Sequence, residues 1–131
     1  MKNPVASMAS IGSGAPAAGP ARPALPLATP VVVLMTVSSP EEGRKISDAL
    51  VSQKLAACVS QVDGVQSVYW WQDKMEHSAE SLLIAKTKRN LVAPLVARVR
   101  ELHSYTVPEV IVLPIEGGNP DYLKWITDVT G

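Results

Sequence analysis

From Pro30 onward the 131-residue sequence carries five side chains suited to a soft or borderline transition-metal ion: Met35, Cys58, Met75, His77 and His103. Thioether, thiolate and imidazole are the ligands such ions prefer. No two of the five stand at a spacing that would by itself bring them to one ion. Cys58 lies in Ala56-Ala57-Cys58-Val59, an apolar segment in which a buried, inert thiol is the default. Met35 closes the run Val31-Val32-Val33-Leu34-Met35 and reads first as a core residue. His103 follows a helical pattern, so its plain role is a charge interaction with a helix C-terminus; ligation is the sharper alternative. His77 falls in a polar turn. A single cysteine excludes an intramolecular disulfide and every Cys-rich zinc pattern.

A second constellation is amphipathic. Tyr69, Trp71, Lys86, Tyr105, Glu109 and Trp125 interrupt otherwise apolar segments. Lys86 shares a strand face with Leu82 and Ile84, which predicts partial burial and a need for counter-charge, with Glu109 as the candidate. Such a set could wall a cleft between subunits, or form an interfacial salt bridge with snorkelling side chains. Catalysis has thinner support. A Cys58–His103 nucleophile pair is conceivable, but no G-x-S-x-G, H-E-x-x-H or phosphate-loop pattern is present. Gly117-Gly118-Asn119 could present N–H groups to an anion, yet a strand-to-helix loop needs such residues anyway. The expectation is a binder, not an enzyme.

The elements that must position these residues follow from periodicity. Val31 to Met35 is a continuous apolar, β-branched run, as in a strand buried on both faces. Ser39, Pro40 and Glu42 announce a helix with a capping box, its inward stripe Ile46, Ala49, Leu50 and Gln53, ending near Lys54. From Leu55 to Trp71 alternation returns: Val65, Ser67, Tyr69 and Trp71 on one face, Gln66, Val68 and Trp70 on the other. Asp63-Gly64 inside that run signals either a hairpin or a bulge. A turn near Asp73-Lys74 leads to a strand over Ser81 to Thr87. Asn90 can cap a second helix with the face Val92, Leu95, Val96, Val99 and Leu102. Val110 to Ile115 is a fourth strand, and Asn119-Pro120 opens a last helix carrying Leu123, Trp125, Ile126 and Val129.

The order is βαββαβ plus a terminal helix: an α+β, ferredoxin-like split-βαβ sandwich with both crossover helices on one face of the sheet. The other face is then bare, yet apolar side chains occupy both faces, so a symmetric homo-oligomer is expected to cover it.

Twelve basic and twelve acidic residues cancel. No Lys/Arg stripe argues for nucleic acid, and no run of 18 apolar residues argues for a membrane span. Residues 1–29 are rich in Ala, Pro, Gly and Ser without apolar periodicity, which predicts a disordered extension before a domain over 30–131. The extension contains Lys2 and Arg22 and no acid before Glu41, the acid-poor signature also shown by organelle transit peptides. The location expected is the cytoplasm, with a chloroplast or mitochondrion as the alternative if the extension is a transit remnant.

Six segments together carry a resemblance: Leu55-Ala56-Ala57-Cys58-Val59, Ser67-Val68-Tyr69-Trp70-Trp71, Lys86-Thr87, Val107-Pro108-Glu109-Val110, Leu113-Pro114-Ile115 and Gly118 to Trp125. In order and spacing, from about Val31 to Val129, they resemble the CutA divalent-cation-tolerance proteins. The resemblance implies a very stable homotrimer whose ferredoxin-like subunits pair edge strands about a threefold axis. It also implies a link to tolerance of copper and other divalent cations, and, in animal members, to anchoring of a cell-surface enzyme. Some bacterial relatives have a cysteine where this chain has Met35 and a His-His pair where it has Leu102-His103; the proline that commonly follows the histidine is here Ser104. The metal ligands expected are His103 and Met35, at those matching positions, and Cys58 by its thiol chemistry, for copper or another divalent cation. The competing class is a nucleotide- or effector-binding trimer resembling PII regulators, against which the missing basic, glycine-rich loop counts; a protein-anchoring trimer is a third.

Overall fold

A computed structural model describes residues 25–131. The extension expected over 1–29 therefore lies, as far as residue 24, outside the described residues. Strand β1 (Pro30–Val37) is followed by helix α1 (Pro40–Ser52), strands β2 (Cys58–Trp71) and β3 (Lys74–Lys88), a 3-10 turn (Arg89–Leu91), helix α2 (Val92–Leu102), strand β4 (Val110–Pro114) and helix α3 (Pro120–Val129). The sheet order is β2-β3-β1-β4, and every neighbouring pair is antiparallel. Each crossover helix thus joins two parallel strands with a third between them, which is the split βαβ arrangement expected.

Alternation along β1 sends Val31, Val33, Met35 and Val37 into a core with Leu83 and Ala85 of β3, Ile46 and Leu50 of α1, and Leu95 and Val99 of α2; all are fully buried. Burial of such side chains stabilises by about 1.5–3 kcal/mol each, so this layer dominates the fold's energy. Helix α1 starts as its sequence specifies: the Ser39 hydroxyl accepts from the Glu42 N–H at 3.1 Å, and Pro40 follows. The reciprocal arm of the box is displaced, because the Glu42 carboxylate takes the N–H and hydroxyl of Ser38 at 3.0 and 3.1 Å. Gln53, expected on the inward stripe, is exposed and instead forms the C-cap. Asn90 does not cap α2; it belongs to the 3-10 turn, and α2 begins at Val92 without a side-chain cap.

Asp63-Gly64 proves to be a bulge, not a hairpin turn. The register of β2 on β3 slips between Val62 and Val65, with Gly64 at φ 74°. Two side chains hold the bulge: Asp63 Oδ1 accepts from Ser81 Oγ at 2.7 Å and from Gln61 Nε2 at 2.9 Å. The true turn is Gln72-Asp73, both residues at positive φ, as a tight hairpin requires. Strand β3 therefore begins earlier than expected, at Lys74. Because β1 pairs with β3 only from Ser81 to Lys88, residues 65–80 form a two-stranded arm projecting beyond the sheet.

The face opposite α1 and α2 is only partly bare. Cys58 pairs with Lys86, on the face opposite Ala85, and its Sγ meets the Tyr122 hydroxyl at 3.5 Å. Helix α3 therefore crosses that face at its Lys86 end, burying Ile126 completely. Asn119 caps α3 through the Asp121 N–H.

Candidate functional site

Where β1 ends, β3 runs on into the arm, and Glu80 is the first residue past the reach of β1. The space left there is roofed by the α2–β4 loop, which carries His103, Tyr105 and Glu109. Tyr105 Oη donates to Glu80 Oε2 at 2.8 Å, and the two residues are 7% and 9% exposed. A cavity of about 400 Å³ opens beneath, lined by Thr36, Ser67, Val68, Tyr69, Glu80, Tyr105 and Glu109. Tyr69 Oη is tied to Ser78 Oγ at 2.6 Å, which orients its ring along the wall.

The roof is locked by His103, whose ring is fully buried. Its Nδ1 accepts the Tyr105 N–H at 3.0 Å, which makes Nε2 the protonated nitrogen; Nε2–H donates to the Thr36 carbonyl at 2.8 Å. The His103 and Tyr105 rings stack with centroids 4.6 Å apart. Glu42 braces the same loop, accepting from the Ser104 N–H at 3.0 Å and lying 3.7 Å from His103 Nδ1.

The electrostatics are those of an acidic pocket. Glu109 stands at the mouth, still reached by water. Partial desolvation, and second the Glu80 charge, push its carboxyl above the usual carboxylate range. Burial, the Glu80 acceptor and the surrounding negative charge hold the Tyr105 phenol protonated. Burial opposes ionisation of Glu42, but hydrogen bonds from Ser38 and Ser104 outweigh it and keep its carboxyl below the usual range. Among the described residues no basic side chain lines the cavity.

Tyr69, Tyr105 and Glu109 are thus brought together. Lys86 is not: it lies six residues from Glu80 along β3, about 20 Å at the strand rise. Its Nζ donates to Ser60 Oγ at 3.0 Å and the Ile84 carbonyl at 3.4 Å, so the expected Lys86–Glu109 pair does not form within the protomer. Trp71 sits at the tip of the arm, paired with Lys74, and Trp125 rides on α3 with its ring 5.4 Å from Tyr122. Among soft ligands, Met35 points into the core and Cys58 lies on the opposite face of the sheet. Cys58 is also separated from His103, which holds Thr36 about four strand residues, or ~13 Å, from the Lys86 end. Among the described residues no group of three or more His, Cys, Asp or Glu side chains could hold a metal ion. Glu80, Thr36 and Ser67 were not singled out in the sequence. Glu80 had a usable signal, an acid two residues before the apolar run Leu82-Leu83-Ile84-Ala85.

The family model for the CutA1 divalent ion tolerance protein matches residues 31–129, which take in the sheet, all three helices and the pocket. The chain belongs to the CutA1 family. It is 48% identical over 100 residues to "Protein CutA 1, chloroplastic" of Oryza sativa, covering 76% of this chain and 56% of that protein. It is 48% identical over 100 residues to the divalent-cation tolerance protein CutA of Thermus thermophilus, covering 76% of this chain and 97% of that one. The crystal structure of CutA1 from Oryza sativa superposes with a TM-score of 0.78 at 46% identity, covering 80% of this chain and 96% of that one. The chain thus spans little more than half of its plant relative and nearly all of its bacterial one. Among the described residues no helix is long and apolar enough to cross a membrane.

Proposed function

We propose that this CutA1-family chain acts as a homotrimer in divalent-cation tolerance, binding copper or another divalent cation weakly and catalysing no reaction. The observation that carries the cation reading is the Glu80–Glu109 pair. Partial desolvation, and second the Glu80 charge across the same cavity, raise the protonation of Glu109, and a bound cation would offset both. Two protein carboxylates, with water completing the shell, make a weak site, and oxygen donors suit a hard dication better than Cu(I). The acidic lining also disfavours phosphates, and so the nucleotide-sensor alternative.

The trimer reading is supported by surface left uncovered in one protomer. On the arm, Val68, Trp70 and Met75 share a face at 57%, 68% and 61% exposure, and edge strand β4 exposes Ile111 and Leu113. Apolar stripes beside unpaired strand edges call for further copies of the chain. The acid-poor first 29 residues, together with a plant relative named chloroplastic, support an organelle as the second destination after the cytoplasm.

Calorimetric titration with Cu(II) tests the cation reading. Weak, saturable binding reduced in Glu80→Gln and Glu109→Gln supports it. Binding that survives both but disappears in His103→Ala moves the ion to the His103 ring. No binding of Cu(II), Mn(II) or Mg(II) defeats the reading. Light scattering is expected to report three chains per particle; a monomer at micromolar concentration overturns the trimer.

A further inference from the structure

The cavity under the Tyr105 loop is much larger than one ion. At about 400 Å³ it lies within the range of roughly 300–1,000 Å³ usual for small-molecule sites. Its two carboxylates are too few for a closed coordination shell, but an ammonium group asks for something different. Such a group carries three N–H donors and no acceptor, and it is attracted to aromatic faces. Glu80 gives one oxygen to Tyr105 and keeps the other for a second donor. Glu109 brings a further carboxylate whose ionisation is opposed until positive charge arrives. The rings of Tyr69 and Tyr105 supply the apolar wall that a carbon body requires.

We infer that this cavity binds a small primary ammonium ion carried on an apolar body, an alkylamine or arylalkylamine, with its charged head between Glu80 and Glu109. The inference rests on the reading that the pocket receives positive charge, and not on that charge being a metal. The wall shared by Tyr69 and Tyr105 gives the site its preference for a carbon body over bare ammonium. The roof held by His103 and Glu42 keeps Tyr105 in place for the Glu80 contact.

The test is a titration of the full chain with 2-phenylethylamine hydrochloride, followed by ligand-observed NMR at neutral pH in metal-free buffer containing EDTA. Saturable binding is expected, with 2-phenylethanol, the same shape without the charge, about tenfold weaker. Glu80→Gln, which retains an acceptor for Tyr105, and Glu109→Gln, at the exposed mouth, should each weaken amine binding about tenfold. Absence of saturable amine binding, equal binding of amine and alcohol, or binding unchanged in both variants overturns the inference. A parallel Cu(II) titration without amine separates the two readings. Metal binding without amine binding leaves the cation-tolerance reading standing and sinks this one. Amine binding without metal binding does the reverse.

Discussion

The hydroxyl of Tyr105 donates to the buried carboxylate of Glu80 at 2.8 Å, joining the loop after α2 to the base of the β2–β3 arm. These residues are 25 positions apart in the chain, and the bond fixes the roof of the pocket to its floor. Leaving a buried carboxylate without its donor costs about 1–3 kcal/mol. Tyr105→Phe should therefore lower unfolding stability by that amount, read as a fall in the urea midpoint with the slope unchanged. A variant as stable as wild type would show that water replaces the phenol without loss.

Glu42 should set part of the acid limb of the stability curve. Its folded carboxyl titrates below the ordinary value of 4.5 because its hydrogen bonds from Ser38 and Ser104 outweigh the burial that opposes ionisation. The unfolded state then binds the proton more readily, so the contribution is present above pH ~4.5 and is lost as pH falls through the lower folded value. Glu42→Gln should cost about 1.5–3 kcal/mol at neutral pH and flatten the decline below it. Thermal melts across the acid range read both effects.

Glu109 works in the opposite direction. Its carboxyl is raised by desolvation and by Glu80, so the native state holds the proton more tightly than the unfolded chain. The favourable contribution is full below the unfolded value and disappears as pH rises through the folded one. Glu109→Gln should accordingly stabilise the protein at neutral pH and be indistinguishable from wild type once both carboxyls are protonated. Equal stability at every pH would mean that the repulsion is relieved by solvent.

Gly64 holds the bulge at φ 74°, with open space where a Cβ would sit. The penalty of Gly64→Ala is thus conformational alone, about 1–2 kcal/mol, with no steric clash added. Gly64→Asn, which tolerates the left-handed region better, should recover part of it. Chemical denaturation of both variants gives the comparison.

The sheet and its helices were legible because each rests on local regularity. Strand β1, the Ser39 and Asn119 caps and the Leu95–Val99 stripe are all encoded within a few residues of themselves, although β1, which reads as buried on both faces, fully buries only every second residue in the protomer. Asn90 misled because a polar residue before a helix also suits a 3-10 turn, and that choice depends on how the chain leaves β3. Asp63-Gly64 was undecidable for a similar reason: hairpin and bulge share a sequence signature and differ only in what pairs with the following strand.

The site shows the same division more sharply. Tyr69, Tyr105 and Glu109 stood out because amphipathic side chains interrupt apolar segments, and that signal requires no partner. Lys86 stood out equally and was matched with Glu109, since sequence reports that a charge needs a partner without saying which one lies within reach. Sequence by itself determined the βαββαβ order, the core stripes and the balance of charge, all properties of neighbouring residues. Only the tertiary structure decided that β3 outruns β1 at Glu80, that His103 spends both ring nitrogens on Thr36 and Tyr105, and that the pocket is acidic. Those facts depend on where separate elements stop relative to one another, and strand register and loop closure set that distance.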